Sequence, residues 1–261
     1  MKKTTFVLTI FLVCSTGQLL AQHAATYLTA EPPENKTMKH EETEFYTPVP
    51  PEVKGVANFE TPPPDAIILF DGKNLDKWVS SANGGAAQWT VSNGVLTVKN
   101  HAGAIRTKQS FGDCQLHIEW RTPTPAKGDG QGRGNSGIFL QSQYELQVLD
   151  SYKAETYSNG QAGSIYKQYP PLANACLPPG QWQSYDIFYK APVFHEDGSL
   201  ESPASITVVQ NGILVQNNAA IKGKTLYVGH PWYEAHGMLP LELQDHGNPV
   251  SYRNIWIREI K

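Results

Sequence analysis

The feature that most constrains this chain is the rhythm of its turns. From residue 66 onward, short apolar and β-branched runs alternate with clusters of Gly, Asn, Asp and Pro. No segment there sustains a helical period over a dozen residues. Runs of that length, broken that often, predict strands. QWTVS (88–92) and VLTVK (95–99) are separated by Asn93-Gly94, and SITVVQ (205–210) and ILVQ (213–216) by Asn211-Gly212. Asn-Gly tolerates the two positive φ angles of a tight hairpin turn, so each pair predicts a hairpin. CQLHIEWR (114–121) alternates cleanly, placing Gln115, His117, Glu119 and Arg121 on one face. So many short strands imply an all-β domain over 65–261, a two-sheet antiparallel sandwich of the jelly-roll kind.

The start of the chain reads differently. A basic Met1-Lys2-Lys3, an apolar run from Phe6 to Val13 and a small residue at Ala21 describe a signal peptide over 1–21. The run is too short for a stable membrane span. The expected destination is exported, periplasmic or cell-surface. Cys14 offers a lipoprotein reading, disfavoured by Val13 before it. Residues 22–64 hold Pro32-Pro33, Pro48, Pro50-Pro51 and Pro62-Pro63-Pro64, the composition of an extended, unpacked linker. The formal net charge is −3 with no basic run, which argues against nucleic acid as a partner. Export permits a disulfide between Cys114 and Cys176; two separate buried thiols fit equally well.

Two segments carry more polar groups than a structural strand needs. In GNSGIFLQSQYELQVLD (134–150), Glu145 and Gln147 share a face. In MLPLELQDHGNPVSYRNIWIREI (238–260), Glu242, Gln244 and His246 share one. Both suggest a polar cleft laid on a sheet. The Gly-rich loop PTPAKGDGQGR (123–133) adjoins the first segment, a natural place for ligand contacts.

ILFDGKNLDKW (68–78), WTVSNGVLTV (89–98), FGDCQLHIEWR (111–121), GNSGIFLQ (134–141), YELQVLD (144–150), GSIYKQYPP (163–171), VVQNG (208–212) and LELQDHGNPVSYRNIWIREI (241–260) occur in that order. Together they resemble the 3-keto-disaccharide hydrolase family, over essentially everything from residue 66. The resemblance implies a concanavalin-like (laminin G-like) jelly roll, export, and action on glycosides oxidised to a ketone at C3. A 3-keto sugar glycoside is then the expected partner. No dinucleotide motif is present, so a separate sugar-oxidising enzyme is expected upstream.

A C3 ketone acidifies the C2 proton. One base then suffices to start elimination at C1, and water adds to the resulting enone. Such a site needs a base, donors for the enolate oxygen and an acid for the leaving group. Glu145 is the first choice for the base and Asp150 the second, the latter only if a bulge shifts its phase. His246 is the candidate acid, and His236 is a weaker ligand candidate. Arg133, Asn135, Gln147, Arg121, Gln244 and Arg253 are the candidate substrate-binding residues. For Arg121, pairing with Glu119 and His117 is the favoured alternative, and for Arg253, pairing with Asp245 or Asp150.

The metal question stays open. No tight ligand motif appears, although a calcium or other divalent site of carboxylates and carbonyls would suit such a sandwich. Two other functions stay open as well. A carbohydrate-binding module would share the fold without the chemistry. A conventional retaining glycosidase would need a second carboxylate, and the position after next from Glu145 is Gln147.

Overall fold

The computed structural model describes residues 28–49 and 61–260. The expected signal peptide over 1–21, with its alternative at Cys14, lies outside the described residues, as do 22–27 and 50–60 of the expected linker. Among the described residues the strands are β1 (Ile67–Phe70), β2 (Trp78–Ser80), β3 (Thr90–Ser92), β4 (Val95–Thr97), β5 (Ile105–Phe111), β6 (Cys114–Arg121), β7 (Ser136–Leu140), β8 (Tyr144–Val148), β9 (Gln183–Lys190), β10 (Val193–Phe194), β11 (Leu200–Ser202), β12 (Ser205–Gln210), β13 (Ile213–Ala220), β14 (Leu239–Leu243) and β15 (Ser251–Glu259). They form an all-β antiparallel sandwich. The larger sheet runs β13-β12-β9-β6-β15-β4-β3, with β1 also on β15; the smaller runs β2-β5-β14-β7-β8. β10 and β11 make a separate ribbon.

Local signals and long-range register agree. Asn93 and Gly94 take φ of 51° and 77°, Asn211 and Gly212 take 51° and 81°, and both hairpins form. The period-2 pattern of β6 buries Leu116, Ile118 and Trp120 completely. In register with them lie Ile187 and Tyr185 of β9 and Ile257 and Tyr252 of β15. The smaller sheet answers with Ile138, Leu146 and Leu243, equally buried. Removing an aliphatic side chain such as Ile118 from water contributes about 2 kcal/mol, so this seam holds the two sheets together. Cys114 and Cys176 are buried free thiols, one in β6 and one in the long connection to β9, so no disulfide joins them.

The expectation of an unpacked linker does not hold for residues 28–49. Two 3₁₀ turns, Pro33–Lys36 and His40–Thr43, dock on the sandwich. Asn35 is buried and exchanges hydrogen bonds with the backbone of His230, at 2.9 and 2.8 Å. Proline disfavours a regular helix or strand here, yet it leaves the polar side chains free to find partners in the body.

Candidate functional site

The site begins with the row structure of the smaller sheet. Its inward side chains form the core, so the alternate ones point to the opposite face. One row across β14, β7 and β8 reads Glu242, Phe139, Glu145; the next reads Gln244, Gly137, Gln147. Gly137 is the low point between these side chains. β8 is the last strand of its sheet, and loops cover its outer edge. Tyr166 N–H donates to Glu145 O, Gln147 N–H to Ser164 O, and Glu145 N–H to Thr225 Oγ1. These bonds bring two distant loops over the strand face.

The result is a polar cavity of about 240 Å³ lined by Asn135, Phe139, Glu145, Gln147, Tyr166, Thr225, Tyr227, Gln244 and His246. Among the described residues Glu145 is the one carboxyl group in that lining. It is only 5 % exposed, and no ion pair or side-chain hydrogen bond reaches its carboxyl group among the described residues. Burial without compensation pushes its pKa up to about 8. Gln147 is held in place: its Nε2 donates to Gln131 Oε1 at 2.9 Å and its Oε1 accepts from Val148 N–H. Asn135 donates to Gln131 O at 2.7 Å. The Oε1 of Gln244 is buried and unpartnered among the described residues. His246 stands exposed at the mouth. Its neighbour Asp245 is committed elsewhere, accepting the N–H groups of Gly103 and Gly247.

Five of the sequence candidates therefore converge: Glu145, Gln147, Asn135, Gln244 and His246. Four do not. Asp150 lies past the end of β8, and no bulge returns it to the Glu145 face. Its buried carboxylate accepts from Arg133 Nε at 2.8 Å and from Tyr152 N–H. Arg133 is thereby a structural partner of Asp150, away from the cavity lining. Arg121 and Arg253 sit on the outer face of the larger sheet, both against Trp182, at 4.6 and 4.1 Å from its ring centre. Arg253 pairs there with Glu119. His236 bonds the hydroxyl of Tyr144, outside this lining.

Sequence reasoning missed Tyr166, Thr225, Tyr227, Phe139 and the organiser Gln131. Tyr166, Phe139 and Gln131 stand inside the segments GSIYKQYPP, GNSGIFLQ and PTPAKGDGQGR, whereas Thr225 and Tyr227 left no trace. Its hydroxyl meets that of Tyr157 at 2.6 Å, and burial holds both phenols well above their usual pKa. Among the described residues no three His, Cys, Asp or Glu side chains gather as a metal-binding group, and no helix is long and apolar enough to cross a membrane.

The sequence matches the model of the 3-keto-alpha-glucoside-1,2-lyase-like domain over residues 65–258. The chain belongs to this family. A crystal structure of a candidate glycosyl hydrolase from Parabacteroides distasonis is 54 % identical, with a TM-score of 0.75 over 85 % of this chain and 97 % of that one. A second candidate glycosyl hydrolase from the same organism shares 21 % identity and the fold, with a TM-score of 0.55 over 76 % and 94 % of the two chains. Comparison with curated proteins finds no match. The family member described here thus carries a glycosyl-hydrolase-like sandwich whose polar cavity lies on the smaller sheet.

Proposed function

We propose that the protein cleaves 3-keto-glycosides by proton abstraction and elimination, with Glu145 as the base. The observation that carries this reading is a buried carboxyl group facing a polar cavity without a second carboxylate beside it. Hydrolysis by two carboxyl groups needs both near the scissile bond. Elimination next to a ketone needs one.

In this reading the C2 proton passes to Glu145, and its electrons form an enolate at the C3 oxygen. Gln244 and the phenol of Tyr166, which line the same cavity, donate to that oxygen in this reading. The enolate then expels the C1 substituent. The C1–O bond breaks, its electron pair leaves with the aglycone, and His246 protonates the departing oxygen. Water then gives a proton to His246 as its oxygen bonds to C1 of the enone, and Glu145 returns its proton to C2, which completes hydrolysis and restores both groups. A base with a raised pKa is the stronger proton acceptor once ionised. The composition of residues 1–21 supports export, and the chemistry requires a separate sugar-oxidising enzyme to supply the ketone.

The test is a paired assay of the purified protein on a glucoside and its 3-keto form, with Glu145→Gln alongside. Release from the keto sugar alone, reduced by roughly 10²–10⁴-fold in the variant, is expected for a lost general base. Equal release from both sugars would point to a conventional glycosidase. Sugar binding without release from either would leave a binding module.

A further inference from the structure

The polar cavity does not end at His246. Beyond it opens a larger chamber of about 830 Å³, and Tyr166, Tyr227 and His246 line both spaces. One wall of this chamber is the sandwich: Gly130–Gly132 of the Gly-rich loop, and Ala154–Tyr157. The facing wall is the N-terminal segment, through His40, Glu44, Tyr46 and Val49.

We propose that the docked segment 33–49 completes the leaving-group subsite, and that this subsite takes a ring-bearing, apolar aglycone. The proposal rests on the 3-keto-glycoside reading, which seats the oxidised sugar ring in the inner cavity. Its C1 substituent then has the outer chamber to enter, with His246 at the junction.

The segment is fastened at several independent points. Lys167, buried and adjacent in sequence to Tyr166, donates to His40 O at 2.9 Å and ion-pairs with Glu44 at 3.3 Å. It donates as well to Tyr227 O at 2.8 Å, so one ammonium group joins the arm to a tyrosine of both spaces. Asn159 Nδ2 donates to Thr43 O, and Ser158 N–H to Phe45 O. Asn35 packs so closely on Gly229 that a Cβ there would lie 2.5 Å from Asn35 Cγ. The fastened stretch then presents rings. His40 stacks on Tyr227 with centres 5.0 Å apart, and Tyr46 meets Tyr157 edge-on at 6.2 Å. Tyr46 and Val49 are nonetheless 58 % and 71 % exposed. Exposed apolar side chains on a fixed wall facing aromatic rings suit a planar or ring-shaped guest.

The test uses the full chain with Tyr46→Ala and, separately, Lys167→Met. Each is assayed on phenyl and methyl 3-keto-glucosides. Dividing each variant by the unaltered protein, substrate by substrate, cancels the intrinsic difference between leaving groups. Tyr46→Ala is expected to lower kcat/KM on the phenyl substrate about tenfold more than on the methyl one, mostly through KM, as loss of one aromatic contact predicts. Lys167→Met is expected to act in the same direction by loosening the wall. Because Tyr46 is exposed, its removal leaves the fold intact. Equal effects of Tyr46→Ala on both substrates, or none on either, would overturn the aglycone subsite and leave the keto-glycoside chemistry standing. Failure of the unaltered protein to turn over either 3-keto-glucoside would overturn both.

Discussion

Glu145 Oε1 lies directly above the backbone of Gly137 on the neighbouring strand: a Cβ built on that glycine would come within 2.5 Å of the oxygen. The carboxyl group occupies the space that a side chain on β7 would fill. Its position is therefore set by a missing methyl group as much as by its own strand.

Gly137→Ala is expected to displace the carboxylate and leave the sheet paired. A displacement on the order of 1 Å at a reacting group costs roughly a hundredfold in rate. The measurement is kcat/KM on a 3-keto-glucoside beside the thermal midpoint. A variant that keeps full activity would sink the view that this glycine sets the geometry of the base.

Glu145 acts as a base only when ionised, and its pKa is held at about 8. Ionisation of Glu145 is then expected to give kcat/KM a limb that rises with pH through about 8. A group acting there as an acid would give the opposite slope, and a pH–rate profile separates the two.

Burial that raises this pKa also weakens the fold. The folded state favours neutral Glu145, so its contribution is favourable at low pH and is lost progressively from about 4.5 through about 8. Glu145→Gln removes the ionisation. We expect a less active protein with a higher Tm, by a margin that grows with pH across that window. Calorimetry at several pH values would show it; a margin independent of pH would contradict it.

His117 adds a second window. Burial beneath Trp256 alone would lower its pKa, but the hydrogen bond to Asp186 and the nearby carboxylate of Glu119 outweigh burial and raise it to about 9. A raised histidine stabilises below its unfolded value near 6.5 and loses that contribution as pH rises through about 9. In the Glu145→Gln background the decline in Tm between those values is expected to remain. Adding His117→Gln should flatten it.

Gln131 was not singled out by its sequence context, yet it accepts from Gln147 and donates to Thr156 Oγ1 and Gly160 O, both at 2.9 Å. Gln131→Ala is expected to remove the Oε1 acceptor of Gln147, while Asn135 keeps its bond to the backbone carbonyl at this position. A loss of about tenfold in kcat/KM with little change in Tm is the expected result, in keeping with a positioning role. An unaltered kcat/KM would remove Gln131 from that role.

The sequence by itself determined the antiparallel sandwich, because alternation of period two and Asn-Gly turns are local properties that neighbouring residues enforce. It also determined that Glu145 and Gln147 face one way; Gln244 and His246, which alternation puts on one face, lie just past the end of β14. Alternation fixes which residues share a face, but not what that face meets. Arg121 and Arg253 alternate correctly and still lie on the outside of the other sheet, against Trp182. Asp150 and Arg133 are polar residues beside the same strand that find each other instead of the cavity. Only the tertiary structure decided these partitions. Likewise only it brought Tyr166, Tyr227 and the proline-rich segment around His40 and Tyr46 to one opening. Their approach is set by loop closure and by buried polar partners such as Asn35 and Lys167, which are far apart in the chain and leave no local pattern to read.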